Sequence, residues 1–247
     1  MTSGSGGSEG AVVIEVTVPV RPLAQPASPT TSVAALSTRR ECSMGSELIE
    51  TRPPSVAGAA RRRRQRLSVD ASGERLRGAR WCASPNHDAR PVADDISLLV
   101  IHAISLPPEH FTGGAVEALF TNRLAPDSHP SFASLRDLRV SAHLFLRRAG
   151  ALVQFVPLRA RAWHAGLSSF EGRSRCNDFS IGIELEGSDH RPFTPTQYRR
   201  LAQVTHALMA AFPAITPDRI VGHSDIAPGR KTDPGPHFDW PSFRSLL

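Results

Sequence analysis

The chain has 247 residues, 40% of them apolar and 21% charged, with 29 basic against 23 acidic side chains. No apolar run approaches the ~18 residues that a membrane span requires, so a membrane protein of the helical kind is excluded from the reading. The basicity that suggests a nucleic-acid binder is local: residues 1–80 carry 12 Arg against 7 Asp and Glu, whereas residues 81–247 hold 17 basic and 16 acidic residues.

From Met1 to about Val69 the sequence is rich in Ser, Gly, Pro, Thr and Ala, shows no sustained periodicity, and ends near a basic run, Arg61–Arg64. Such a segment cannot bury enough apolar surface to offset ~1–2 kcal/mol per residue of backbone entropy. The expectation is therefore a disordered, Arg-rich extension over residues 1–75 and a folded domain over residues 76–247. No aromatic residues are interleaved with the arginines for base stacking, so the run reads as a solvated cluster and no nucleic-acid partner is expected. The apolar stretch Ala11–Val20 follows no basic segment and is interrupted by Glu15, which is not the pattern of a secretory leader. Cys42, Cys82 and Cys176 show no C-x-x-C spacing and cannot all pair within one chain, which fits a reducing cytoplasm.

Beyond Trp81, periodic segments appear. Ser97–His102 reads as an almost continuous apolar strand that ends at a histidine. Leu144–Arg148 and Leu152–Val156, separated by Ala149-Gly150-Ala151, read as a hairpin. Phe179–Glu186 alternates, with Ile181, Ile183 and Leu185 on one face and Gly182, Glu184 and Glu186 on the other. Thr194-Pro195-Thr196-Gln197 is a capping box with Pro at the first helical position, and Tyr198, Leu201, Thr205, Leu208 and Phe212 follow at helical spacing. Arg219–His223 reads as a short last strand, again closing on a histidine, and Asp239 caps a short helix through Leu247. Strands interleaved with helices predict an α/β fold, a mixed sheet covered by helices.

Most of the ten histidines have ordinary explanations; His87, His110, His129, His190, His206 and His237 sit in turns, polar stretches or helix surfaces. His102 and His223 differ because each closes an apolar strand, where side chains project into the crevice that open α/β sheets use for ligands. With Asp233 they make two imidazoles and one carboxylate, a set that leaves a tetrahedral Zn²⁺ its fourth position for water, as catalytic zinc requires. Spacing alone does not establish the site, since the two histidines are 121 positions apart. Amide hydrolysis also needs a proton acceptor, for which Glu184 on its strand is the candidate, and a group to meet the developing oxyanion. Lys231, two residues before Asp233, is the only lysine in the chain and offers a compact ammonium there.

Assembled, these segments resemble the zinc-dependent N-acetylmuramoyl-L-alanine amidases of the AmpD type, which share a fold with T7 lysozyme and the peptidoglycan recognition proteins. The resemblance is carried by Leu98–His102 with Ile104–Pro108, Leu138–His143, Arg161–Gly166, Arg175–Gly187 and Gly222–Pro236. It implies zinc ligands at His102, His223 and Asp233, one ion per chain, a catalytic glutamate at Glu184 rather than Glu186, and a transition-state lysine at Lys231. It also implies that Trp163, Arg139, Arg175 and Ala227 line or support a muropeptide site, whereas His143 and His164 sit in matching motifs without binding metal. The position after the first zinc histidine, commonly Asn in the family, is Ala103 here. The implied activity is hydrolysis of the amide between 1,6-anhydro-N-acetylmuramic acid and the L-alanine of cytoplasmic muropeptides, for peptidoglycan recycling, by a monomer with no membrane partner. The alternatives are an envelope amidase acting on intact peptidoglycan and a non-catalytic recognition module. The complete ligand set with Glu184 and Lys231 speaks against the second.

Overall fold

The computed structural model describes residues 67–247. The Arg61–Arg64 run and nearly all of the expected extension lie outside the described residues. The body begins earlier than the sequence suggests. Strands β1 (Ser68–Val69) and β2 (Leu76–Arg77) pair antiparallel across a turn. In that turn Asp70 Oδ1 accepts from the backbone N–H of Glu74 at 3.0 Å and of Arg75 at 3.1 Å. Leu67 and Leu76 are 6% and 2% exposed and join the main core, so residues 67–75 belong to the folded body rather than to an extension ending at residue 75. Strands of two residues leave no periodicity to read, so the sequence carries no local signal of this hairpin.

Next come β3 (Arg80–Trp81), β4 (His87–Asp88), β5 (Leu98–Ile104) and helix α1 (Ala115–Phe120). The hairpin β6 (Leu144–Leu146) and β7 (Leu152–Gln154) follows, then β8 (Arg161–Ala162), β9 (Ser169–Phe170), β10 (Arg173–Ser174) and β11 (Ser180–Glu186). The chain ends with α2 (Pro195–Ala211), β12 (Ile220–Gly222), α3 (His223–Ile226) and α4 (Trp240–Arg244). Six strands form one mixed sheet in the order β12-β5-β11-β6-β7-β3. Within it β12, β5, β11 and β6 run parallel, β6 and β7 are antiparallel, and β7 and β3 are parallel. The expected α/β architecture, a mixed sheet covered by helices, is what the structure shows.

Alternation along the strands sorts the two faces. Leu99 and Ile101 of β5 and Ile181, Ile183 and Leu185 of β11 pack with Leu201, Val204 and Leu208 of α2. Each such fully buried aliphatic side chain contributes roughly 1.5–3 kcal/mol. The expected capping box starts α2. Thr194 Oγ1 accepts from Gln197 N at 3.1 Å, and Gln197 Oε1 accepts from Thr194 N at 3.0 Å. Gln197 Nε2 also donates to Glu186 O at 3.0 Å, which fixes the helix to the end of β11. The opposite face of the sheet carries Leu98, Val100 and Val221 in a smaller cluster with Ala165, Cys176, Phe179 and Ile226.

Three local expectations differ from what is observed. β5 continues past His102 to Ile104, because Ala103 still pairs with Leu185 of β11. β12 stops at Gly222, so His223 opens α3 instead of closing the strand. The cause is Asp225, whose Oδ2 accepts from Gly222 N at 2.7 Å and starts a helical turn there. α4 ends at Arg244, short of Leu247.

Candidate active site

Because β12, β5 and β11 are parallel, their carboxyl ends meet on one edge of the sheet, where open α/β sheets bind ligands. His102 stands near the end of β5, directly across from Glu184 of β11 in register. His223 follows β12 immediately. Asp233 reaches the same edge on a loop whose approach depends on Gly222. A Cβ at position 222 would lie 2.7 Å from Pro234 Cδ, closer than the neighbouring ring allows. Ser224 N donates to Asp233 O at 2.9 Å and tethers that loop to α3.

Thus three side chains far apart in sequence converge. His102 Nδ1 lies 3.0 Å from His223 Nδ1 and 3.1 Å from Asp233 Oδ2, and His223 Nδ1 lies 3.2 Å from Asp233 Oδ2. Ligand atoms ~2.0–2.1 Å from a tetrahedral zinc ion stand roughly 3.3 Å from one another, so this triangle has the dimensions of one face of such a site. A shared proton can bridge only one edge of a triangle of lone pairs, whereas a divalent cation answers all three. The residues therefore fit a metal ion, and among the described residues they are the one group that does.

The electrostatics agree with that donor set. Burial, reinforced by the nearby His223, pulls the His102 imidazole down to about 4, so it is neutral and able to ligate at physiological pH. Burial alone would push the Asp233 carboxyl up, but hydrogen bonds with His102 and His223 outweigh it and hold the group well below the usual carboxylate range. Glu184 moves the opposite way: burial, then the charge of Asp233, raises its carboxyl well above the ordinary value. Its Oε2 is buried with no hydrogen-bond partner among the described residues. An unpartnered buried carboxylate oxygen is costly, and such groups concentrate where proton transfer is needed. Lys231 is half-buried; burial lowers its ammonium from the ordinary value, while Asp233 and Glu184 both act to raise it.

The sequence profile of the N-acetylmuramoyl-L-alanine amidases matches residues 92–236. The chain belongs to the N-acetylmuramoyl-L-alanine amidase family. It is 57% identical over 169 residues to the 1,6-anhydro-N-acetylmuramyl-L-alanine amidase AmpD of Salmonella typhimurium, a match covering 68% of this chain and 90% of that one. To the AmpD of Escherichia coli it is 55% identical over 172 residues, covering 70% and 93%. A crystal structure of a selenomethionine AmpD derivative superposes with a TM-score of 0.68 at 55% identity, covering 70% of this chain and 96% of the other. The AmpD resemblance read from the motifs is therefore borne out, as is the fold it implied.

Around the amidase site the four residues expected to line it fall in three places. Trp163 Nε1 donates to Asp88 Oδ1 at 3.2 Å, and Asp88 also pairs with Arg161. Arg161 continues to Asp178 at 2.6 Å, and Asp178 to Arg175 at 3.2 Å. Trp163 and Arg175 thus belong to one polar chain. Arg139 stands apart from it, exposed, its Nη1 meeting the carbonyls of Arg136 and Leu138. Ala227 is buried, and its carbonyl accepts from Arg230 N and Lys231 N, both at 3.1 Å, so its backbone sets where Lys231 leaves the turn. Glu186, which shares the Glu184 face, is 4% exposed and is taken up by Arg147 at 3.1 Å, which leaves it a structural anchor. Ala103 packs against the main core.

Sequence reasoning did not find the residues that support the site. Asn177 Oδ1 accepts from the backbone N–H of His164 at 3.1 Å and of Ala165 at 2.8 Å. Arg90, only 7% exposed, donates to the carbonyls of Arg159, Asn177, Leu158 and Ser180 within 2.8–3.2 Å, tying the loop before β8 to the start of β11. In each case the side chain meets backbone groups, which carry no residue-type signature.

Proposed function

We propose that the protein is a 1,6-anhydro-N-acetylmuramyl-L-alanine amidase, hydrolysing the amide between the lactyl carbonyl of the anhydro sugar and the L-alanine of the stem peptide. The observation that carries this reading is one sheet edge on which a three-donor cluster, an unpartnered carboxylate and the lone lysine meet. It occurs in a chain 57% identical to an AmpD over 90% of that enzyme.

His102, His223 and Asp233 would hold a single Zn²⁺. Zinc bound there would supply Lewis acidity toward the amide carbonyl and would lower the pKa of water to ~7. Glu184 takes the proton of the attacking water; its raised affinity for that proton, caused by burial, suits it to accept and then release it. The proton passes to the nitrogen of the departing L-alanine, so the peptide leaves as a neutral amine and Glu184 returns to carboxylate. The Lys231 ammonium meets the negative charge that grows on the carbonyl oxygen at the tetrahedral stage. Trp163, Arg139, Arg175 and the Ala227 backbone are assigned to holding the muropeptide, with the arginines meeting peptide carboxylates through charge-assisted bonds.

All of these residues come from one chain, so the site needs no second copy to be complete. Among the described residues no helix is long and apolar enough to cross a membrane. Kinship with AmpD supports a role in peptidoglycan recycling in the bacterial cytoplasm. The deciding experiment is mass spectrometry of products from a defined anhydromuropeptide, with and without chelator. Free anhydro sugar and intact stem peptide are expected, and both disappear on chelation. Cleavage within the peptide, or turnover indifferent to chelator, would overturn the proposal.

A further inference from the structure

One side of His102 faces the donor cluster; the other side meets a second histidine. His102 Nε2 lies 2.9 Å from His164 Nδ1, and His164 Nε2 lies 3.1 Å from Ser180 Oγ. The His164 ring rests on Gly182 of β11, where a Cβ would stand 2.5–2.7 Å from three of its ring atoms. The ring can occupy that place only because residue 182 has no side chain. Beneath it the Asn177 amide oxygen takes both N–H groups of His164 and Ala165, and the Ala165 carbonyl lies 3.1 Å from His223 Nε2. The two-residue stretch 164–165 therefore meets the outward nitrogen of each candidate imidazole ligand.

We propose that His164, seated on Gly182 and clamped by Asn177, is a positioning residue that fixes the tautomer and tilt of His102 for metal binding. The proposal rests on the zinc assignment above. An imidazole that offers Nδ1 to a cation carries its proton on Nε2. His102 then donates from Nε2 to His164 Nδ1, which places the His164 proton on its own Nε2, from which it donates to Ser180 Oγ. The direction of donation is fixed at every step, because reversing any one ring would set two N–H groups or two lone pairs against each other. Ala165 O plays the same part for His223 by accepting from Nε2, which leaves Nδ1 free. Hydrogen bonds to the far nitrogen of a ligating histidine set its orientation and basicity, and losing one typically weakens metal binding by roughly 10- to 100-fold.

The test measures zinc dissociation constants of the full-length protein by competition with a chromogenic chelator, alongside thermal unfolding of the metal-free forms. His164→Ala is expected to bind zinc roughly 10- to 100-fold more weakly. His164→Asn places an amide oxygen where Nδ1 stood and is expected to recover most of the affinity. His164→Gln, whose acceptor falls where Nε2 stood, is not. The Asn and Gln variants are both polar and smaller than or similar to imidazole, so their comparison holds even if the Ala variant does not fold. A role in packing alone predicts that Asn and Gln behave alike, which would overturn the proposal, as would His164→Ala binding within two-fold of the wild type. Wild-type protein that binds no zinc would instead overturn the metal assignment itself.

Discussion

Glu184→Gln separates the chemical role of this side chain from its energetic cost. In the folded, metal-free protein the Glu184 carboxyl holds its proton to a pH well above the ordinary 4.5, because burial and then the charge of Asp233 disfavour the carboxylate. The unfolded chain releases that proton near 4.5. Between the two values the unfolded state binds fewer protons, so this group makes stability fall as pH rises. One proton sets the limiting slope at about 1.4 kcal/mol per pH unit. For a domain of this size 1 kcal/mol corresponds to ~2–4 °C in Tm, so the Tm of the wild type minus that of Glu184→Gln should drop by up to roughly 3–6 °C per pH unit inside the window. Differential scanning fluorimetry in chelator, from about pH 5 to about pH 8, reads this directly, because other titrating groups are common to both proteins and largely cancel. The same variant, loaded with zinc, should lose well over ~100-fold in kcat while retaining the metal. A Tm difference that stays constant across the range would refute burial as the cause of the shift, and near-normal turnover would remove Glu184 from the mechanism.

Asp233→Ala should lower the zinc content of purified protein, as measured by atomic emission, since it leaves two imidazoles without the carboxylate that completes the triangle; full occupancy would refute its place as a ligand. Leu76→Ala should cost about 2–5 kcal/mol in urea unfolding, the usual range for emptying a buried aliphatic site. A value near zero would show that β1 and β2 are not part of the core.

What the sequence made legible follows from how local each signal is. The alternation of Phe179–Glu186 and the capping box at Thr194 and Gln197 depend on neighbours within a few residues, and both appear as expected. The convergence of His102 with His223 and Asp233 depends on the strand order β12-β5-β11, which no spacing encodes; strand ends and donor chemistry mark the three as a candidate set, and the AmpD motifs add the choice of Glu184 over Glu186. Leu67 escaped because the core cluster it joins is built largely from β5, β11 and α2, far along the chain from residue 67. His223 opening a helix turned on one contact, Asp225 to Gly222 N, that competes locally with strand continuation. Asn177 left no trace because it recognises peptide N–H groups that every residue but proline possesses.

The polar chain from Trp163 through Asp88, Arg161 and Asp178 to Arg175 has a consequence for discrimination among peptides. Its two aspartates face its two guanidinium groups, Arg175 through Nε alone, so Arg175 meets an incoming anion with its charge already partly neutralised. Arg139 has no carboxylate partner among the described residues and keeps its full charge for the solvent side. On the proposed assignment, preference for acidic over amidated stem peptides would rest more on Arg139 than on Arg175, and could drift during evolution without disturbing the indole that Asp88 holds in place.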